Sequence, residues 1–156
     1  MPANLIEIRA IGVVRTSVAD AAVSWRRRDM VSTIEVFDQF AAGLAGIEDY
    51  SHLFVIFALD RVTAPDSLLA RPRGDRQAAP VGVFAARGRN HPNAVGLAVV
   101  ELLARRGATL EVRRLDAFDG TPVIDIKPYD DYDVVAAPRV PTWWRLRAMT
   151  KSEDPG

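Results

Sequence analysis

The sequence predicts a mainly β protein, an antiparallel barrel or sandwich with one or two short helices. Three observations carry that expectation. Seven short runs rich in Val, Ile, Leu or Phe are separated by turn-forming residues. No G-x-G-x-x-G follows a strand and no G-x-x-x-x-G-K-S/T is present, so neither a Rossmann domain nor a P-loop has support. A chain of 156 residues is the size of one domain that can bury a real core.

Taken in order, the expected strands are Ile6–Val14, Thr33–Phe37, Leu53–Leu59, Val81–Ala86, Val95–Leu103, Leu110–Leu115 and Pro122–Ile126. Phe37–Leu44 has apolar residues at three- and four-residue offsets and stops before Gly46, which reads as a short helix. Val95–Arg106 is apolar on both faces and could be a buried helix, but Pro92 and the β-branched Val95, Val99 and Val100 favour a strand. Thr63–Pro80, with Pro65, Pro72, Gly74 and Pro80, is a long polar loop. From Pro138 a tail carries Trp143 and Trp144 beside Arg145 and Arg147. Its tryptophans are expected to dock, so that Trp144→Ala costs about 3 to 5 kcal/mol, and the terminal KSEDPG to fray. The division is a barrel domain over residues 1–137 and a tail over 138–156.

Composition removes several functions. There is no cysteine, so disulfides, thiolate metal sites and Cys nucleophiles are excluded. No basic leader precedes an apolar core at the N-terminus, and no run is long and apolar enough for a spanning helix, which points to the cytoplasm without a membrane. Formal net charge is zero, so nothing draws the whole molecule to nucleic acid. Arginines cluster at Arg26, Arg27, Arg28 and at Arg71, Arg73, Arg76; they suit either phosphate pairing or a plain solvated face.

Two loops between apolar runs, Arg87–Gly96 and Asp116–Thr121, concentrate charged and turn-forming residues as a scaffold presenting a site does. His52 and His91 lack ligand-spaced partners, so no metal site is expected. Ser51 and His52 read as polar closure at the mouth of a strand, since spacing cannot supply the geometry of a catalytic triad. Asp116 and Asp119 flank a turn ending in Gly120, where aspartates bond backbone amides more readily than they hold magnesium.

IGVVRTS at Ile11–Ser17, GIEDYSHLFVIFALDR at Gly46–Arg61, GVFAARGRNHPNAVGL at Gly82–Leu97 and LDAFDGTPVIDIKPY at Leu115–Tyr129 together resemble the TsaA/TrmO-like family. The resemblance implies a small β-barrel S-adenosylmethionine-dependent methyltransferase and a homodimer with cofactor near its interface. The family's characterised type methylates N6 of threonylcarbamoyladenosine beside the tRNA anticodon. By position it implies cofactor contacts at Arg87, Leu97, Asp116, Ala117, Phe118 and Asp119, and at Asp60 and Arg61, which stand where bacterial tRNA enzymes usually carry His-Gln. The usual R-P-N-P-I-G reads His91-Pro92-Asn93-Ala94-Val95-Gly96, so a mostly neutral ring replaces a fixed positive fork, and His91 and Asn93 become candidate substrate contacts with Arg26, Arg27 and Arg28. The bacterial V-P-R-Q-P-G segment is absent, replaced by the shorter Val23–Met30.

The implied chemistry suits these residue types. A sulfonium methyl donor is already activated, so transfer needs in-line positioning more than it needs an acid, a nucleophile or a metal. The accepting nitrogen must lose a proton, and Asp119 is the candidate base. The alternatives are a small-metabolite acceptor for the same barrel, or a binding module without turnover.

Overall fold

The computed structural model describes residues 4–63, 66–72 and 76–152, with side chains through Arg147; Pro65, Arg73, Gly74 and residues 153–156 of the KSEDPG end lie outside the described residues. Six strands close a barrel: β1 (Gly12–Arg15), β2 (Val31–Val36), β3 (His52–Ala58), β6 (Val95–Arg106), β7 (Thr109–Arg113) and β8 (Pro122–Pro128). Around the barrel they run β1, β2, β7, β6, β3, β8, every pair antiparallel. The remaining strands, β4 (Leu69–Ala70) and β5 (Val81–Gly82), form a separate two-stranded ribbon.

Alternation makes the core. Strand side chains point to opposite faces in turn, so a run with apolar residues at every second position lines the inside. Leu53, Val55 and Phe57 of β3, Ile34 and Val36 of β2, Leu110 and Val112 of β7, and Ala98 and Val100 of β6 meet there. Leu44 joins this cluster from one connecting segment, Leu115 and Ala117 from another. Like every strand of the closed barrel β6 has two neighbours, and its register with β7 shifts between Leu102 and Ala104. Its first half pairs with β3 and its second with β7, with Glu101 opposite both His52 and Arg113. Its apolar residues fill both faces because one lines the core and the other lies outside the barrel.

Local details depart from the expected elements in several places. Residues 4–11 are not strand, so β1 starts later than the expected Ile6. Phe37–Leu44 folds as a 3-10 helix over Asp38–Leu44, closed by Gly46 at φ 86, a conformation that favours glycine. After Val81–Gly82 the chain tightens into a 3-10 turn, Val83–Ala85, instead of continuing as strand to Ala86. Two helices were not anticipated by periodicity: α1 (Asp20–Arg26), too short to show a full pattern, and α2 (Thr142–Ser152) in the tail. Trp143 is half-buried, but Trp144 is 40% exposed and does not dock as expected. The helix carrying it is tied inside the tail, where Arg145 donates to the Pro138 carbonyl at 3.0 Å.

Candidate functional site

The D-A-F-D-G-T-P run from Asp116 to Pro122 forms a rigid mouth at one end of the barrel. Gly120 sits at φ 81, which lets the chain turn, and its amide donates to the Val14 carbonyl at 2.8 Å. Val14 in turn donates to Thr121 at 2.9 Å, and Pro122 opens β8, a first-strand position where its missing N–H does little harm. Asp119 accepts from the Thr16 amide at 3.1 Å through Oδ1. That amide lies 103 residues away along the chain, so the carboxylate braces the segment after β1 and not, as expected, its own turn. Among the described residues, no group of three or more His, Cys, Asp and Glu is placed to hold a metal ion.

Arg61 locks this mouth from the opposite side. Just beyond β3, it pairs through Nη1 with Asp20, in the first turn of α1, and donates through Nη2 to the Asp119 carbonyl at 2.9 Å. Its guanidinium carbon lies 5.4 Å from the centre of the Phe118 ring, within cation–π range. One side chain thus joins α1, the segment after β3 and the Asp116–Thr121 loop. Sequence reasoning named Arg61, Phe118 and Asp119 but missed Asp20 and Thr16. The available signal was weak, an acidic residue where a helix first turn favours one.

Arg87 and Leu97 form a second cluster, on the outer face of β6. Arg87 donates through Nη2 to the Leu97 carbonyl at 3.2 Å, and the Leu97 side chain is 50% exposed. Thus Arg87 grips the strand backbone. His91 closes the same loop, its Nε2 3.0 Å from the Ala86 carbonyl and its ring edge-on to the exposed Phe84. Backbone connects the two clusters, since the Leu59 amide donates to the Ala94 carbonyl at 2.9 Å beside Asp60 and Arg61. Asp60 and Asp116 are exposed, whereas Ala117 is buried and can offer a ligand little beyond its backbone. Asn93 is exposed, and its carbonyl takes the Val95 amide.

The basic clusters separate. Arg26 closes α1, where the rise of 1.5 Å per residue puts it about 9 Å from Asp20. Its Nε lies 3.3 Å from Asp29, while Arg28 is exposed in the turn that follows. Arg71 donates to the Ala78 carbonyl, and Arg73 falls outside the described residues.

The profile of the tRNA-methyltransferase O N-terminal domain matches residues 23–133, from α1 to the turn beyond β8. This chain belongs to that family. An S-adenosyl-L-methionine-binding protein of Archaeoglobus fulgidus is 42% identical over 125 residues, 78% of this chain and 88% of that protein. The tRNA (adenine(37)-N6)-methyltransferase of Mus musculus is 35% identical over 100 residues, 63% of this chain and 23% of that enzyme. A crystal structure of TrmO superimposes with a TM-score of 0.71 at 31% identity, covering 87% of this chain and 63% of that one. Several family relatives are thus much longer, and this chain spans only 34% of another Archaeoglobus fulgidus protein, described as a probable S-adenosyl-L-methionine-binding protein. Among the described residues no helix is long and apolar enough to cross a bilayer.

Proposed function

We propose that this family member is an S-adenosylmethionine-dependent methyltransferase acting on N6 of threonylcarbamoyladenosine beside the tRNA anticodon, in the cytoplasm and as a homodimer. The observation that carries the reading is the D-A-F-D-G-T-P mouth, held rigid by Arg61 and Thr16 within a TrmO-type barrel. The mouse and rat relatives, named as tRNA (adenine(37)-N6)-methyltransferases, support the tRNA substrate.

The residues fit such a cofactor. Arg87 spends one N–H on Leu97, and the rest of its fork suits a carboxylate. Asp116 and Asp119 are exposed carboxylates suited to a sulfonium, and Leu97 with Phe118 offers apolar surface to an adenosine. When bound, S-adenosylmethionine supplies an activated methyl group. The chain then contributes positioning, which by itself can account for several powers of ten in rate. Asp119 is the base of this proposal: Thr16 fixes one carboxylate oxygen, which orients the other for the proton leaving N6.

A second copy completes the assembly. Val95, Leu97 and Val99 point out of the barrel and are exposed, opposite Ala58, Ile56 and Phe54 of β3. An apolar stripe on the water side of an antiparallel sheet is the signature of a covered face. It adjoins Arg87, so cofactor and interface lie together.

Titration calorimetry with S-adenosylmethionine tests the site. Wild type should bind and Arg87→Ala should bind more weakly; absence of binding to wild type, with or without tRNA, overturns the reading. Methyl transfer to modified tRNA should then be lost in Asp119→Asn even when S-adenosylmethionine is saturating. Binding without turnover on any acceptor selects a cofactor-binding module, the reading favoured by relatives of matching length named only for binding. The zero net charge, with His91 and Ala94 standing where the family usually carries Arg and Pro, favours a small-metabolite acceptor; methylation of extract metabolites but not of tRNA would select it.

A further inference from the structure

We infer that Arg114, with Arg27, Arg28 and Trp25, forms a contact surface for the phosphate backbone and an unpaired base of RNA, at the turn joining α1 to β2. The inference rests on the tRNA reading above and adds a residue that motif and spacing did not single out.

Arg114 stands at φ 75, in the left-handed region that strains any residue with a side chain and is normally left to glycine. The backbone demands it. Arg113 is still paired with Val31 in the β2–β7 ladder, Leu115 is fully buried, and between them the Arg114 amide donates to the Met30 carbonyl at 3.0 Å. The fold therefore explains the dihedral but not the arginine. Its side chain is exposed and, among the described residues, has no carboxylate in ion-pairing reach. A side chain kept at a strained position with no ion-pair partner of its own points to a role outside the chain.

The neighbours supply the rest of the surface. Met30, which receives the Arg114 amide, lies two residues beyond Arg28 in a turn closed by its own amide on the Arg26 carbonyl, 2.9 Å. Two nearby arginines are already neutralised, Arg26 by Asp29 and Arg113 by Glu101 at 2.7 Å. Arg27, Arg28 and Arg114 have no such partner among the described residues. Trp25, on the last turn of α1, is 70% exposed; the Arg26 guanidinium carbon lies 6.0 Å from the centre of its ring, and the face turned away from Arg26 is left for stacking. Unpaired guanidinium groups beside an exposed indole match single-stranded RNA, where phosphate pairing and base stacking act together. Because the net charge of the chain is zero, this local patch, not a whole-molecule field, must supply the attraction.

Arg114→Gly in the full chain separates this role from a structural one, because the two effects have opposite signs. Relief of the left-handed strain should raise Tm by about 2 to 4 °C. Loss of a phosphate contact should weaken tRNA binding about tenfold at low salt and reduce the slope of log affinity against log salt by about 1. Trp25→Ala should weaken tRNA binding while leaving that slope unchanged, as for a stacking contact. S-adenosylmethionine titration serves as the control that the cofactor site is intact. If wild type binds tRNA and Arg114→Gly binds it equally with the same slope, the inference is overturned and the tRNA reading stands. If wild type binds cofactor but no tRNA, the tRNA reading fails and this inference with it.

Discussion

The two halves of β6 share one strand and one barrel, yet they present opposite surfaces. From Val95 to Val99 the outward residues are apolar and exposed. From Glu101 onward charged residues enter and are paired: Glu101 with Arg113 at 2.7 Å and Arg106 with Glu111 at 2.9 Å. At the far end Arg105 turns to Glu48 at 2.7 Å and to the Leu44 carbonyl at 3.0 Å. Charged pairs in water contribute little to stability but keep a face soluble and unattached. The apolar half lacks that protection, and it is the half next to Arg87 and the barrel mouth. What a strand shows to the outside thus marks which part of a barrel faces water and which part seeks a partner.

The sharpest way to break the contrast is to give the first half the character of the second. Leu97→Arg with Val99→Arg should convert a dimer to a monomer in sedimentation velocity with little change in Tm. A wild type that is already monomeric would end the claim that this face is an interface. Next in size is Gly96→Ala. Gly96 faces the core opposite Phe57, and a Cβ there would fall within the Phe57 ring. Overpacking of this kind costs about 1 to 3 kcal/mol, read by chemical denaturation. A neutral result would show that the ring moves aside and that the first half is loosely packed. Glu101→Gln tests the second half. Both members of its pair are more than a third exposed, so only about 0.2 to 1 kcal/mol should be lost, and less in high salt.

The smallest effect is a pH dependence at Glu48. A hydrogen bond from its own backbone holds its carboxyl below the ordinary value of 4.5; desolvation opposes this, and the hydrogen bond and charge of Arg105 add to the lowering. Because the folded value is the lower one, the contact stabilises above the ordinary value and the contribution disappears as pH falls through and below it. The Tm difference between wild type and Glu48→Gln should therefore shrink in acid. A difference that stays constant from pH 7 to pH 3 would mean that Glu48 packs and does not act through its charge.

Much of the barrel was legible because alternation is local. Leu53, Val55 and Phe57 announce an inward face without reference to any partner, and the D-G-T-P run announces a turn because Gly120 alone tolerates its φ without strain. α1 was not legible, since seven residues give barely two turns of periodicity. Ile6–Ala10 looked like strand but lacks the neighbour that would make it one, as pairing around β1 is already complete on both sides. Within the candidate site, Phe118 and Asp119 could be placed by motif. The partners that hold them could not.

Sequence alone determined the period-two pattern, the turn chemistry and the family, all of which are written in residues near one another along the chain. Only the tertiary structure decided that Arg61 reaches Asp20 and Asp119, 41 and 58 residues away, that one half of β6 shows bare apolar surface, and that Arg114 is forced into the left-handed region. Those outcomes follow from closing the barrel. Closure fixes which distant segments share a mouth, which faces are left uncovered and where the backbone must bend, and none of these is a property of any local stretch.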